Sequence, residues 1–209
     1  MIEFACRCGK RFSVQDSFAG RKARCKGCGM DIVVPQPGQK VAAPAPAAPG
    51  TSKLPMRTRR LLADAEQMNR VFKDFPLIRL HSVSGDPPDV YQIEYRVKGL
   101  DAGTNGKPVF REHHLVEIQL TGDYPRLSPM CKMLTTTFHP NIDTSTICVG
   151  DHWTAGERLA DLVVRIGEML SYQLYNIRSP LDGEAAMWAD LNGEKLPVDN
   201  RNMRPPQMD

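Results

Sequence analysis

The sequence predicts an α+β fold in which helices stand at the ends of an antiparallel sheet, with a small cysteine-rich module in front. Three observations predict it. Apolar residues recur at helical spacing from Leu61 and again from Leu159, and alternate with polar residues in between. Four of the six cysteines lie within the first 28 residues. A segment rich in proline and alanine separates those cysteines from the rest of the chain.

The 209 residues suffice for one domain of ordinary size plus a small module. A net charge of +3 does not call for a nucleic-acid partner. No apolar run reaches the length of about 18 residues that would suggest a membrane span. The start, Met1-Ile2-Glu3-Phe4-Ala5-Cys6-Arg7-Cys8, lacks the apolar core of a signal peptide. The expected location is the cytoplasm, where thiols stay reduced.

The first module spans residues 1–34. Cys6-x-Cys8 and Cys25-x-x-Cys28 are close-spaced thiol pairs separated by 16 residues, each followed by a glycine, Gly9 or Gly29. Four thiolates in a tetrahedral array suit zinc. A module this short cannot bury enough apolar surface to fold alone, and a metal supplies the missing stability. Two disulfides are the alternative, disfavoured in a reducing compartment. With no open coordination position, the zinc is expected to be structural. Phe4, Phe12 and Phe18 are expected to pack the tiny core. The module holds seven basic and three acidic residues, so it carries +4 and the remainder −1. Arg7, Lys10, Arg11, Arg21, Lys22, Arg24 and Lys26 form either a contact face for an acidic protein or nucleic acid, or a solvated face. The residues leave both open.

Residues 35–55 contain six prolines among 21 residues and read as an extended linker. At about 3.1 Å per residue, such a segment separates its flanks by roughly 60 Å. The body, residues 56–191, opens with a helix whose Leu61, Ala65, Met68 and Phe72 share a face, stopped by Pro76. Strands are expected where Tyr91, Ile93, Tyr95 and Val97 alternate, and again at Val116, Ile118 and Leu120. Residues 130–138 read as a third extended run, and Gly99–Pro108 as a long turn. A second helix starts near Glu157 and buries Leu159, Leu162, Val163, Ile166, Met169 and Leu170. A short helix follows around Asp182–Asp190. Residues 192–209 are polar with paired prolines, and read as a flexible tail.

The chemistry centres on Phe138-His139-Pro140-Asn141, followed seven residues after Asn141 by Cys148. A thiol nucleophile needs a polar group near the oxyanion that forms when a carbonyl is attacked. An asparagine held by a proline can supply it. Cys131 sits mid-strand and reads as core. A second metal site from His113, His114, Cys131, His139, Cys148 and His152 lacks standard spacing. A cysteine protease would need a histidine base against Cys148, and neither His139 nor His152 is well placed for that.

Two resemblances follow from these residues. Cys-Arg-Cys-Gly-Lys-Arg-Phe, Ala-Gly-Arg-Lys-Ala-Arg-Cys-Lys-Gly-Cys-Gly and the Val-Val-Pro exit resemble a small zinc ribbon. In the body, Tyr124-Pro125-Arg126-Leu127-Ser128-Pro129, His139-Pro140-Asn141, Ile147-Cys148, Trp153 and Ser179-Pro180-Leu181 resemble, in order and rough spacing, the ubiquitin-conjugating enzyme family over roughly residues 57–190, with shorter steps from Asn141 to Cys148 and from Cys148 to Trp153. The resemblance implies that fold and a transferase. Cys148 would accept the C-terminus of a ubiquitin-like protein from an activating enzyme as a thioester, and pass it to a lysine or other acceptor on a target protein. Asn141 would stabilise the oxyanion or order the loop holding Cys148. His139 and Pro140 would fix the turn, with His139 structural. Trp153 would pack the loop beyond Cys148. Arg57, Arg59, Arg60 and Arg70 would offer the activating enzyme a docking face.

The departures point to a divergent member, closer in its compact core and zinc ribbon to bacterial ubiquitin-like conjugation systems. Ser179, after Arg178, stands where the family carries an acid that orients the incoming lysine. Asp151, His152 and Asp182 are the available substitutes. Arg126 stands where an apolar residue often meets a ligase, which leaves the need for a ligase open. The alternative function is a catalytically inactive adaptor that binds a ubiquitin-like protein and recruits through its ribbon.

Overall fold

Two units, Met1–Leu54 and Pro55–Asp209, make up the chain in the computed structural model, which describes residues 1–5, 11–25, 31–36, 54–103, 107–149 and 153–208. The first unit holds two antiparallel hairpins. Strand β1 (Ile2–Ala5) pairs with β2 (Arg11–Val14), and β3 (Lys22–Arg24) with β4 (Asp31–Val33). Phe4 lies opposite Phe12, and their rings stack at 5.6 Å. Ile2, Cys25 and Val34 are buried. Gly20 turns the chain at a φ of 75°, a left-handed conformation that suits glycine, and donates its N–H to the Val34 carbonyl at 2.8 Å. Phe18 departs from expectation. It ends a one-turn 3-10 helix and stays 45% exposed, with the Arg21 guanidinium 5.6 Å from its ring centre. Of the four cysteines assigned to zinc, Cys25 directly follows β3, whereas Cys6, Cys8 and Cys28 lie outside the described residues. So do residues 37–53 of the linker.

In the second unit, α1 (Met56–Phe72) buries Leu61, Met68, Val71 and Phe72, the expected stripe with Val71 in place of the half-buried Ala65. Strands β5 (Ile78–Gly85) and β6 (Pro88–Tyr95) follow, then a separate hairpin, β7 (Gly99–Ala102) with β8 (Pro108–Arg111). Strands β9 (His114–Gln119) and β10 (Met130–Met133) complete an antiparallel sheet in the order β10–β9–β6–β5. Tyr91 faces Ile118 and Ile93 faces Val116, so one face of the sheet is apolar. Helix α2 (Leu159–Leu170) packs there with α1. Gly167 lets it approach, because a Cβ would lie 3.3 Å from the Tyr95 ring. The Tyr95 hydroxyl donates to the Val163 carbonyl at 3.0 Å. The short α3 (Gly183–Leu191) joins a second apolar cluster with Leu100, Phe138 and Tyr172.

The structure corrects the sequence reading in four places. β5 exposes most of its residues, so it shows little alternation and is absent from the reading. The expected turn at Gly99–Pro108 is the β7–β8 hairpin. Of the extended run 130–138, only Met130–Met133 pairs as strand; Phe138 instead donates its N–H to Leu100 O at 2.9 Å. The tail read as flexible is anchored in the fold at several of its described residues, 192–208. Met203 and Met208 are 1% and 4% exposed within the main core. Asp199 accepts the Lys98 N–H at 3.1 Å and pairs with Arg201. Methionines without periodicity give no helical or strand signal, yet their flexible thioethers fill irregular core gaps. No helix among the described residues is long and apolar enough to cross a membrane.

Candidate active site around Cys148

The segment from His139 to Cys148 folds back on itself through bridges between His139 and Ile142 and between Ile142 and Ile147. Asp143 closes the turn, its Oδ1 accepting from the N–H groups of Ser145 at 2.6 Å and Thr146 at 2.7 Å. Those donors hold its carboxyl below the usual carboxylate range. Two backbone bonds then locate the thiol. Ile147 donates to Cys131 O on β10 at 2.9 Å, and Cys148 donates to Asn141 O at 3.0 Å.

The three residues before the turn act as a brace. His139 is 1% exposed, and its Nδ1 accepts the Asn141 N–H at 3.1 Å. Burial pushes its imidazole down to about 3, so it stays neutral at ordinary pH and serves structure. Its ring lies 4.8 Å from that of Tyr172, whose hydroxyl donates to Phe138 O at 2.5 Å. Pro140 O accepts from Leu181 N at 2.7 Å and Asp182 N at 3.1 Å, tying the turn to the start of α3. Asn141 is 7% exposed and clamps Asn176: its Nδ2 donates to Asn176 O at 2.8 Å, and its Oδ1 accepts from Asn176 N at 2.7 Å. The Asn141 side chain thus orders the segment around Asn176, while its backbone carbonyl holds the Cys148 N–H.

Cys148 is partly exposed between two depressions. On one side lies an open cleft of about 440 Å³, lined by Glu117, Pro129, Lys132, Thr146 and Leu181 among others. On the other lies a recess of about 60 Å³, lined by Asn141, Arg165, Met169, Leu174, Asn176 and Ser179. The structure thus brings Asn141, Cys148 and Ser179 together. Asp182 instead caps α3, accepting from Glu184 N and Ala185 N at 3.0 Å. Asp151 and His152 lie outside the described residues. Cys131 is core, as expected, and burial pushes its thiol up to about 12.

The Tyr124-Pro125 element forms a second anchor. Asp64, 3% exposed on α1, accepts from Arg60 Nε at 2.8 Å and from the Tyr124 hydroxyl at 2.6 Å. Trp153 lies 5.7 Å from the Tyr124 ring and donates its indole N–H to Pro125 O at 2.9 Å. The chain just beyond Cys148 is thereby tied to the 124–125 turn. Arg57 and Arg60, expected on a docking face, are committed inward: Arg57 to the carbonyls of Leu120 and Thr121, Arg60 to Asp64 and Ala155 O. Arg59 and Arg70 remain exposed. Arg126 is 81% exposed and pairs with Asp123.

The sequence reading missed Tyr172, Asn176 and Arg165. Only Arg165 left a local signal, a charge inside the apolar run Leu162-Val163-Val164-Arg165-Ile166.

A family model described as "Ubiquitin-conjugating enzyme" matches residues 73–196. Among solved structures, one described as a "Novel Ubiquitin-Conjugating Enzyme" is 21% identical with a TM-score of 0.50, over 65% of this chain and 86% of that one. S. cerevisiae Ubc12 is 18% identical with a TM-score of 0.54, over 69% of this chain and 76% of its own. At these identities the structural likeness speaks for the fold.

Proposed function

The chain belongs to the ubiquitin-conjugating enzyme family, and from that membership we propose that it carries a ubiquitin-like protein as a thioester on Cys148. The observation behind this reading is that, of the three described cysteines, Cys25 and Cys131 are buried while Cys148 opens on a cleft. In the first step, the Cys148 thiolate attacks the thioester carbonyl presented by an activating enzyme. A new S–C bond forms and the donor cysteine leaves as thiolate. An acceptor amine, from a lysine or another group on the target, then forms a C–N bond and releases Cys148, its proton passing to solvent.

The brace of His139, Pro140 and Asn141 holds the thiol and the 174–181 segment in register for both steps. With Ser179 at the family's acidic position and Asp182 engaged as a cap, Asp151 and His152 are the substitutes left to orient the acceptor. The activating enzyme docks on α1 through Arg59 and Arg70, the arginines left exposed there.

The ribbon holds one structural zinc ion through Cys6, Cys8, Cys25 and Cys28. Support comes from the chain order: each thiol pair falls at or between the paired strands of one hairpin, and Cys25 is buried at the end of β3. The four-thiolate donor set suits zinc. Elemental analysis is expected to give one zinc per chain, lost in Cys25→Ser.

The conjugation test mixes the protein with its activating enzyme, the ubiquitin-like protein and ATP, followed by a non-reducing gel. A thiol-sensitive adduct that disappears in Cys148→Ala is expected. No adduct with a working activating enzyme would leave the adaptor reading in its place.

A further inference from the structure

We propose that Arg165 supplies the positive charge that stabilises the Cys148 thiolate and the acyl oxyanion formed on it; the oxyanion part rests on the thioester reading above. The recess behind Cys148 is lined by Asn141, Arg165, Met169, Leu174, Asn176 and Ser179, among which Arg165 is the one charged residue. The amide of Asn141 engages both backbone groups of Asn176, which takes up one of its two N–H donors. Arg165 projects from the middle of α2 with its side chain 15% exposed. Its Nη2 pairs with Glu157 Oε1 at 2.9 Å, while its Nε is buried with no hydrogen-bond partner among the described residues.

Keeping a guanidinium there costs stability, because burial strips its hydration and one donor is left unpaired. An apolar residue at position 165 would continue the run around it and avoid that cost. Arg165 also opposes the effect of burial on the Cys131 thiol, and the Cys131 carbonyl holds Ile147, next to Cys148. A fixed cation beside a thiol favours the thiolate, and beside an attacked carbonyl it favours the oxyanion. The guanidinium acts here by its charge and takes no proton from the thiol. The thiol proton leaves to solvent. The thiolate then forms the S–C bond, the carbonyl pair moves onto oxygen, and collapse expels the donor thiolate. Glu157 orients Arg165 and offsets part of its charge.

The intact protein alone provides the test. Iodoacetamide alkylation of Cys148 is followed against pH, with the modified peptide read by mass spectrometry. Arg165→Met, of similar length and uncharged, is expected to raise the midpoint of the profile and slow alkylation about three- to tenfold at neutral pH, with an unchanged plateau at high pH. Arg165→Lys is expected to restore most of the rate. Glu157→Gln keeps the arginine and is expected to shift the midpoint downward, so the proposal stays testable if Arg165→Met does not fold. An unmoved profile in Arg165→Met, or equal shifts in the Met and Lys variants, overturns it. So does an unmoved or raised midpoint in Glu157→Gln. No activating enzyme enters the assay, so a failure here leaves the thioester reading standing. A missing adduct on the gel leaves the Arg165 assignment standing for the thiolate.

Discussion

Asn141 shows how one side chain connects local sequence to the site. Its place before Cys148 was readable, because Pro140 and the spacing to the thiol are local. Its partner was not, because Asn176 lies 35 residues away in an irregular segment. Removing the clamp leaves both Asn176 backbone groups to find new partners. Asn141→Ala is therefore expected to lose about 1–3 kcal/mol of stability, measured by denaturant unfolding. It is also expected to speed amide exchange over residues 174–178, to charge normally and to discharge slowly. Unchanged exchange there would remove the clamp from the account. His139 was legible as structural, since a histidine before proline in a tight turn is poorly placed as a base. Its burial against Tyr172 adds the physical reason, by keeping the imidazole neutral.

At the scale of elements, the regular pieces with a buried and an exposed face were readable. The stripes of α1 and α2 and the alternation in β6 and β9 follow from periods of 3.6 and 2. β5 and the β7–β8 hairpin were not, because β5 is mostly exposed and β7 buries three successive residues, so neither shows a period of two. The start of α3 makes a testable case. Asp182 was a candidate to replace the missing acid, but its carboxylate serves two N–H groups at the helix start. Asp182→Ala is expected to cost about 1 kcal/mol, whereas Asp182→Asn, which caps equally well, is expected to leave stability and acceptor transfer unchanged. A discharge rate that falls in Asp182→Asn with stability intact would return the acid role to this residue.

For the whole molecule, two predictions follow from what the core encloses. His139 and His114 are both about 1% exposed, and burial holds them down to about 3 and about 4. An unfolded imidazole takes its proton near 6.5. Below that pH the unfolded chain binds up to two more protons than the folded one. Stability is thus expected to fall with pH below about 6.5, by roughly 1.4 kcal/mol per pH unit for each imidazole, and to be insensitive to them above it. Asp199, held well below the usual range by Arg201, adds a loss of the same sign at more acid pH. Urea unfolding from pH 8 to 4 checks this, and a flat profile between 6.5 and 4.5 would count against it. The carboxyl-terminal segment gives the second: Met203→Ala is expected to cost about 2–5 kcal/mol, as for a core methionine, where a mobile tail would show no change. By itself the sequence determined the family, the Pro/Ala segment, the helix and strand faces and the pairing of Asn141 with Cys148, because each is written in local spacing. The tertiary structure alone decided that Asn141 clamps Asn176, that Arg165 shares a recess with Cys148, and that Met203 and Met208 close the core. Those contacts join residues far apart in the chain, where only the packing of the folded body selects partners.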